Sequence, residues 1–213
     1  MDKNEKAANK VKIQHVIKAL ERRNMASYYC EDSQEAVAKA LEMIPEGAKV
    51  ACGGSMTLAE AGLKEALKEG EYDFTDPFSF LDAEKSMEAR RQALLSDVFV
   101  TSANAVTLDG EIVNIDGTGN RMAAVIFGPK KVIFIVGVNK LVLSEKDAVD
   151  RIKNDACSPN CIRLNKKTPC ALTGKCGNCL SRGNTVCCHT VTTRFSSIDD
   201  RMHVILVNEK LGY

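Results

Sequence analysis

Between residues 5 and 154 the sequence switches repeatedly between the apolar spacing of a helix and short, nearly continuous apolar runs. A chain patterned in this way folds as strands joined by helical crossovers, which sets neighbouring strands parallel and puts helices over the sheet. Val11, His15, Val16, Ala19 and Leu20 recur at roughly helical spacing in an amphipathic helix over 5–24. "MASYYC" (25–30) reads as a strand, and "SQEAVAKALEMI" (33–44) as a helix capped by Ser33 with Glu35 in its first turn. "AKVACGG" (48–54) is a short buried strand. "TLAEAGLKEALKEG" (57–70) is a helix with a Thr57/Glu60 capping box, stopped by Gly70. A strand at "YDFTD", a helix over 82–95 opening at Asp82 and a buried strand "DVFVTSA" (97–103) continue the pattern. "AVTLDGEIVNID" holds two β-like runs joined by Asp109-Gly110, a dipeptide that favours a tight hairpin. "KKVIFIVGV" (130–138) is the most apolar strand, "SEKDAVDRIKN" (144–154) a helix, and "HVILVNEKLG" (203–212) a late strand. The expected fold is α/β: a mixed, mainly parallel sheet flanked by helices on both faces. One domain spans 1–213, with a Cys-rich insertion over about 155–195 before the last strand.

Charge and composition narrow the functional classes. Lys plus Arg (29) nearly cancels Asp plus Glu (28), so there is no general basic footprint for nucleic acid or an anionic membrane. Aromatic residues are 5% and Trp is absent, which argues against a surface for stacking bases. The first twenty residues are charged and lack the apolar core of a signal peptide. The longest strongly apolar run, "VIFIVGV" (132–138), is far short of the ~20 residues that span a bilayer. A cytoplasmic protein is expected, and in that reducing compartment structural disulfides are uncommon.

Three stretches can carry chemistry. In "VACGGSMTLAEAGL" (50–63) a buried strand runs into Gly53, Gly54 and Ser55 and then a helix start at Thr57. Small residues let backbone amides approach an anion at such a place, beyond the carboxyl end of a strand. A plain tight turn with a capping box explains the same residues. In "DGEIVNIDGTGNR" (109–121), Asn114, Gly117, Thr118, Gly119, Asn120 and Arg121 form a polar, glycine-bearing loop. There Arg121 could grip a carboxylate or phosphate with two N–H groups. A hairpin and loop remain the alternative. Glu60 and Asp116 are the acid/base candidates, although capping and turn formation account for them as well.

The third stretch, "CALTGKCGNCLSRGNTVCC" (170–188), holds five of the nine cysteines. Cys170, Cys176, Cys179 and Cys187 offer four thiols, two of them in a CxxC, enough for tetrahedral zinc or an iron–sulfur cluster. The spacing matches neither a zinc ribbon nor a ferredoxin run. A redox-active Cys176/Cys179 pair and inert structural thiols stay open. Cys188 and His189 are alternative ligands, and Cys157 and Cys161 form a looser pair upstream. Cys30 and Cys52 fall in apolar strands and read as core.

"SANAVTLDGEIVNIDGTGNRMAAVIFGPKKVIFIVGVNKL" (102–141) resembles the core of the LUD, or lactate utilization, domain. "GGSMTLAEAGL" is similar to that family's glycine–serine loop, and "TPCALTGKCGNC", "VCC" and "VILVNEKLGY" to its stand-alone, cysteine-bearing branch. The resemblance implies a NagB/RpiA/CoA-transferase-like fold and an anion site at Gly53, Gly54, Ser55 and Thr57, closed by "NIDGTGNR". It also implies a part in lactate or related organic-acid metabolism beside iron–sulfur redox subunits. Two other readings stay open. One is a stand-alone isomerase or transferase acting on a phosphorylated or CoA-linked substrate, although no CoA-transferase glutamate motif is present. The other is a non-catalytic metal-binding subunit of a redox complex. A homo-oligomer is compatible with all three.

Overall fold

A computed structural model describes all 213 residues, Met1–Tyr213. The first half runs α1 (Lys3–Glu21), β1 (Ala26–Cys30), α2 (Ser33–Glu42), β2 (Lys49–Cys52), α3 (Met56–Glu60), α4 (Leu63–Glu69), β3 (Asp73–Thr75), α5 (Ala83–Gln92) and β4 (Val98–Thr101). Next come β5 (Ala105–Thr107), β6 (Ile112–Asp116), α6 (Asn120–Ile126), β7 (Lys131–Gly137) and β8 (Leu141–Val142). The chain ends with α7 (Glu145–Arg151), α8 (Cys157–Arg163), α9 (Pro169–Thr173), β9 (His189–Thr193) and β10 (Met202–Val207).

Six strands form a wholly parallel central sheet in the order β1-β10-β7-β4-β2-β3. The antiparallel pairs sit in a second sheet, β8-β5-β6-β9, where β6 pairs antiparallel with both β5 and β9. Thus the mixed character expected from the Asp109-Gly110 hairpin lies in its own small sheet. Alternation along β7 shows how the central sheet is sealed. Ile133 and Ile135 face one way, into a cluster with Ala36 and Ala40 of α2, Leu58 of α3 and Leu63 and Leu67 of α4. Val132, Phe134 and Val136 face the other way, against Ile13, Val16 and Leu20 of α1 and Val106 and Ile112 of the second sheet. Each such side chain contributes about 1.5–3 kcal/mol by leaving water, so a strand buried on both faces must be apolar throughout. A third cluster beneath the second sheet joins Ala105 and Val113 to Ala148, Ile152, Cys157, Cys161 and Cys170.

Local details depart from the sequence reading in several places. Asp32, not Ser33, caps α2: its carboxylate accepts the Glu35 N–H at 2.9 Å. The stretch 57–70 is two helices, because Gly62 takes φ +86°, a left-handed conformation that ends α3. No capping box forms there. The Thr57 hydroxyl and the Glu60 carboxylate turn instead to the C-terminal tail, at Leu211 O and Gly212 N–H. The helix read over 144–154 continues through a π turn (Ile152–Ala156) into α8. Pro159 in α8 has no N–H to give the preceding turn, and the wider turn just before it absorbs that loss. Asn120 and Arg121, read as the end of a loop, open α6 (Asn120–Ile126). The Cys-rich region is also more than an appendage: its strand β9 pairs residue by residue with β6, from Ile112↔Thr193 to Asp116↔His189.

Candidate functional site

Three neighbouring strands of the central sheet end beside one another and hand their next residues to a common cavity of about 500 Å³. After β2 come Gly54, Ser55 and Thr57; after β4, Ser102 and Asn104; after β7, Lys140. The segment from β6 into α6 forms a second wall with Asp116, Gly117, Thr118, Asn120 and Arg121. Cys157, Cys161 and Cys187 close the far side. Ser55 and Arg121, far apart in sequence, therefore share one cavity. Gly53 and Asn114 lie just behind the lining. A Cβ at Gly53 would stand 2.9 Å from Thr101 Oγ1 and 3.3 Å from Arg121 Cδ, so only glycine lets these two walls meet.

Arg121 organises its wall. Its Nε–H donates to Asp116 Oδ2 at 3.1 Å, and one terminal nitrogen donates to Ser102 O and Asn114 Oδ1. The other donates to Asn104 Oδ1 and Ile115 O, both at 2.9 Å. A guanidinium has five N–H donors, and all five are engaged. The bidentate grip expected of Arg121 is therefore unavailable; its contribution to an incoming anion is positive field and a rigid wall. Asp116 is held in the same network, accepting Arg121 at one oxygen and the Gly119 N–H at the other. Glu60 is exposed, points to the tail and does not line the cavity. Asn120 accepts the Thr118 hydroxyl, and Asn114 is fully buried as a brace between Asn104 N–H and Arg121.

Sequence reasoning missed the most unusual residue. Lys140 is only 3% exposed, and its Nζ donates to Thr57 Oγ1 at 2.7 Å and Ser102 Oγ at 3.1 Å. Its hydrogen-bond partners are hydroxyls, not carboxylates. Burial, aided by the Arg151 and Arg121 guanidiniums and opposed by Glu60, pushes its pKa down to about 7. The one signal in the sequence was a lysine placed three residues beyond "VIFIVG", where the apolar pattern predicts core. Arg151 braces the same corner, donating to Asn104 O and Asn139 O.

The expected four-thiol set does not assemble. All nine cysteines are free thiols, and no group of three or more His, Cys, Asp or Glu side chains is placed to hold a metal ion. Cys170 is buried and lies 3.2 Å from Thr168 Oγ1, while Cys179 is beside the Thr185 hydroxyl. Cys187 instead meets Cys157, Sγ to Sγ at 3.5 Å. The continued helix brings Cys157 and Cys161 on one face of α8 into the cluster that also holds Cys170. As placed, these residues do not fit zinc or an iron–sulfur cluster. The Cys157 hydrogen bond, with Lys153 nearby, lowers the Cys187 thiol to about 7, and the same bond together with burial raises Cys157.

With α3 five residues long and α6 seven, the electrostatics of the cavity rest on side chains rather than helix ends. Arg90, Arg121, Lys140, Arg163 and Lys166 line it against one carboxylate side chain, Asp116.

Comparison with known proteins agrees with this architecture. The LUD domain matches residues 13–207. The fold is similar to that of a DUF162 family protein from Deinococcus radiodurans, with a TM-score of 0.53 and 13% sequence identity over 95% of this chain and 98% of that one. None of the curated proteins matches the chain. No helix is long and apolar enough to cross a membrane.

Proposed function

The chain belongs to the LUD-domain family, whose name denotes lactate utilization, and on that footing we propose that its cavity binds a small organic-acid anion of the lactate and pyruvate class. The charge of the lining carries this proposal: Arg90, Arg121, Arg163 and Lys166, four cationic side chains beside Lys140, face one carboxylate side chain. At an effective dielectric near 20, a single cation about 4 Å from a bound carboxylate contributes on the order of 4 kcal/mol before desolvation is counted. Gly54 and Ser55 leave room for backbone amides at the mouth, and Ser55 makes no capping bond with its hydroxyl. The volume of about 500 Å³ lies within the range of small-molecule sites and admits acids longer than three carbons. In this proposal the chain supplies the acid-binding part of organic-acid oxidation, and iron–sulfur partner subunits carry the electrons.

Calorimetric titration with L-lactate, pyruvate and uncharged lactamide tests it. Both acids should bind and lactamide should not. Replacing Lys166→Glu, at the cavity rim, should weaken the acids about tenfold, equivalent to ~1.4 kcal/mol. Heat from lactamide equal to that from lactate, or none from either acid at millimolar concentration, refutes an organic-acid site.

A further inference from the structure

Four other cations line the cavity, so anion binding alone does not require the buried Lys140. Lysine is almost never fully buried without a partner of opposite charge, because an unpaired ammonium loses its hydration. Here the two groups that receive its N–H bonds are hydroxyls, and each has a backbone carbonyl within reach to take its own proton. Thr57 Oγ1 donates to Leu211 O at 3.2 Å, and Ser102 Oγ to Ala103 O at 3.3 Å. Both oxygens therefore act toward Lys140 as acceptors. A neutral amine has two N–H groups and one lone pair; the hydroxyls take the two N–H groups and leave the lone pair unused. The amine also lines the cavity.

We propose that Lys140 is a nucleophile whose amine condenses with the carbonyl carbon of a 2-oxo acid held in the cavity, forming an imine. The proposal rests on the cavity being an organic-acid site and names its substrate class more narrowly. The Nζ lone pair forms the new C–N bond while the carbonyl π pair moves to oxygen. That oxygen takes a proton released by the nitrogen, which the Ser102 hydroxyl is placed to relay. The carbinolamine then loses water with uptake of one further proton, giving a protonated imine. Amine, ketone and one proton become iminium and water, and no electrons enter or leave. The substrate carboxylate stays among the cations and compensates the iminium charge. The charged groups that act on Lys140 are Arg151, Arg121 and Glu60; the two guanidiniums disfavour the ammonium and keep the amine nucleophilic at neutral pH.

Trapping with pyruvate and sodium borohydride tests the proposal on the wild-type protein. Reduction fixes an imine as a stable secondary amine, which intact-mass measurement and peptide mapping locate. The adduct should form on the Lys140 peptide about tenfold faster than on any other lysine, should slow when L-lactate is added, and should vanish in Lys140→Arg. Because the mapping uses wild-type protein, a folding defect in the variant does not obscure it. Adducts spread evenly over other lysines overturn the proposal. If both acids bind calorimetrically but Lys140 stays unmodified, the imine fails and the acid site stands. If Lys140 is trapped with no protection by lactate and no saturable acid binding, the imine stands and the organic-acid site fails.

Discussion

Replacing Lys140 by methionine removes the ammonium and keeps most of the volume of its stem. The fall from 10.5 to about 7 spans about 3.5 pH units, which at 1.36 kcal/mol per unit places on the order of 5 kcal/mol against burying the charge. That is an upper bound, because water in the cavity solvates the ammonium, and about half of it should be seen. Between pH 7 and 10.5 the unfolded chain holds the lysine proton and the folded chain does not. Wild-type stability therefore rises with pH across that window, by up to ~1.36 kcal/mol per unit, and the penalty is fully present below pH 7. At about pH 6 the methionine variant should be the more stable protein by ~2–3 kcal/mol. At about pH 10 the gap should close, since the wild-type amine is then neutral and keeps two hydrogen bonds that methionine lacks. Tyr29, raised to about 12, and Cys30, raised to about 11, titrate in or near the same window, but equally in both proteins, so they cancel in the difference. Urea unfolding of both proteins at about pH 6, 8 and 10 gives that difference directly. A gap that stays constant with pH would refute the assignment of Lys140 as a buried amine with a depressed pKa.

Two further outcomes follow from the cavity walls. Arg121→Lys should lose about 3–5 kcal/mol in urea unfolding, because an ammonium cannot replace five planar donors and leaves the buried Asp116 carboxylate poorly paired; a loss under 1 kcal/mol would mean the network is not a structural brace. Cys187 should be the first of the cavity thiols to react with iodoacetamide, with a rate midpoint near pH 7, and Cys157→Ala should move that midpoint up toward about 8.5; an unchanged profile would rule out the Cys157 hydrogen bond as the cause.

How much the sequence disclosed depended on whether a signal was local. The central strands were readable because each is buried on both faces and must be apolar, as "VIFIVG" shows at β7. The loop after β2 and the loop after β6 were legible as glycine-bearing breaks at strand ends. Their meeting depends on how the second sheet, which carries β6, packs beside the ends of β2, β4 and β7, and the family resemblance rather than periodicity pointed to it. Roles were harder. Ser33 and Asp32 are both good caps one residue apart, and only the bond to Glu35 N–H separates them. Arg121 in a polar loop reads as a free hand, yet its acceptors come from Ser102, Asn104, Asn114 and Asp116 on separate segments, which no local pattern reveals. Strand β9, "HTVTT", is half exposed at the edge of a small sheet and lacks alternation, so only its pairing with β6 defines it. The cysteine spacing misled because it looked only within 170–188, while α8 carries Cys157 into contact with Cys187.

The two surprises, a saturated Arg121 and an unpaired Lys140, are linked. A lysine placed among guanidiniums destabilises the fold, and a purely structural position would be better filled by a methionine or leucine of similar volume. Chains break local rules of this kind where a site needs the offending group, and the surroundings must then be stiff enough to hold it. The stiffness is visible here. Arg121 ties β6, α6 and the post-β4 segment into one wall, and Arg151 fixes Asn104 and Asn139 from the other side. Thr57 joins Lys140 to the C-terminal tail. An amine held at three adjacent strand ends by groups that only accept its protons is constrained in both position and protonation. A hydroxyl proton turned toward Lys140 would occupy the lone pair and the arrangement would merely store an amine; with a carbonyl beside each hydroxyl to take that proton, it presents one.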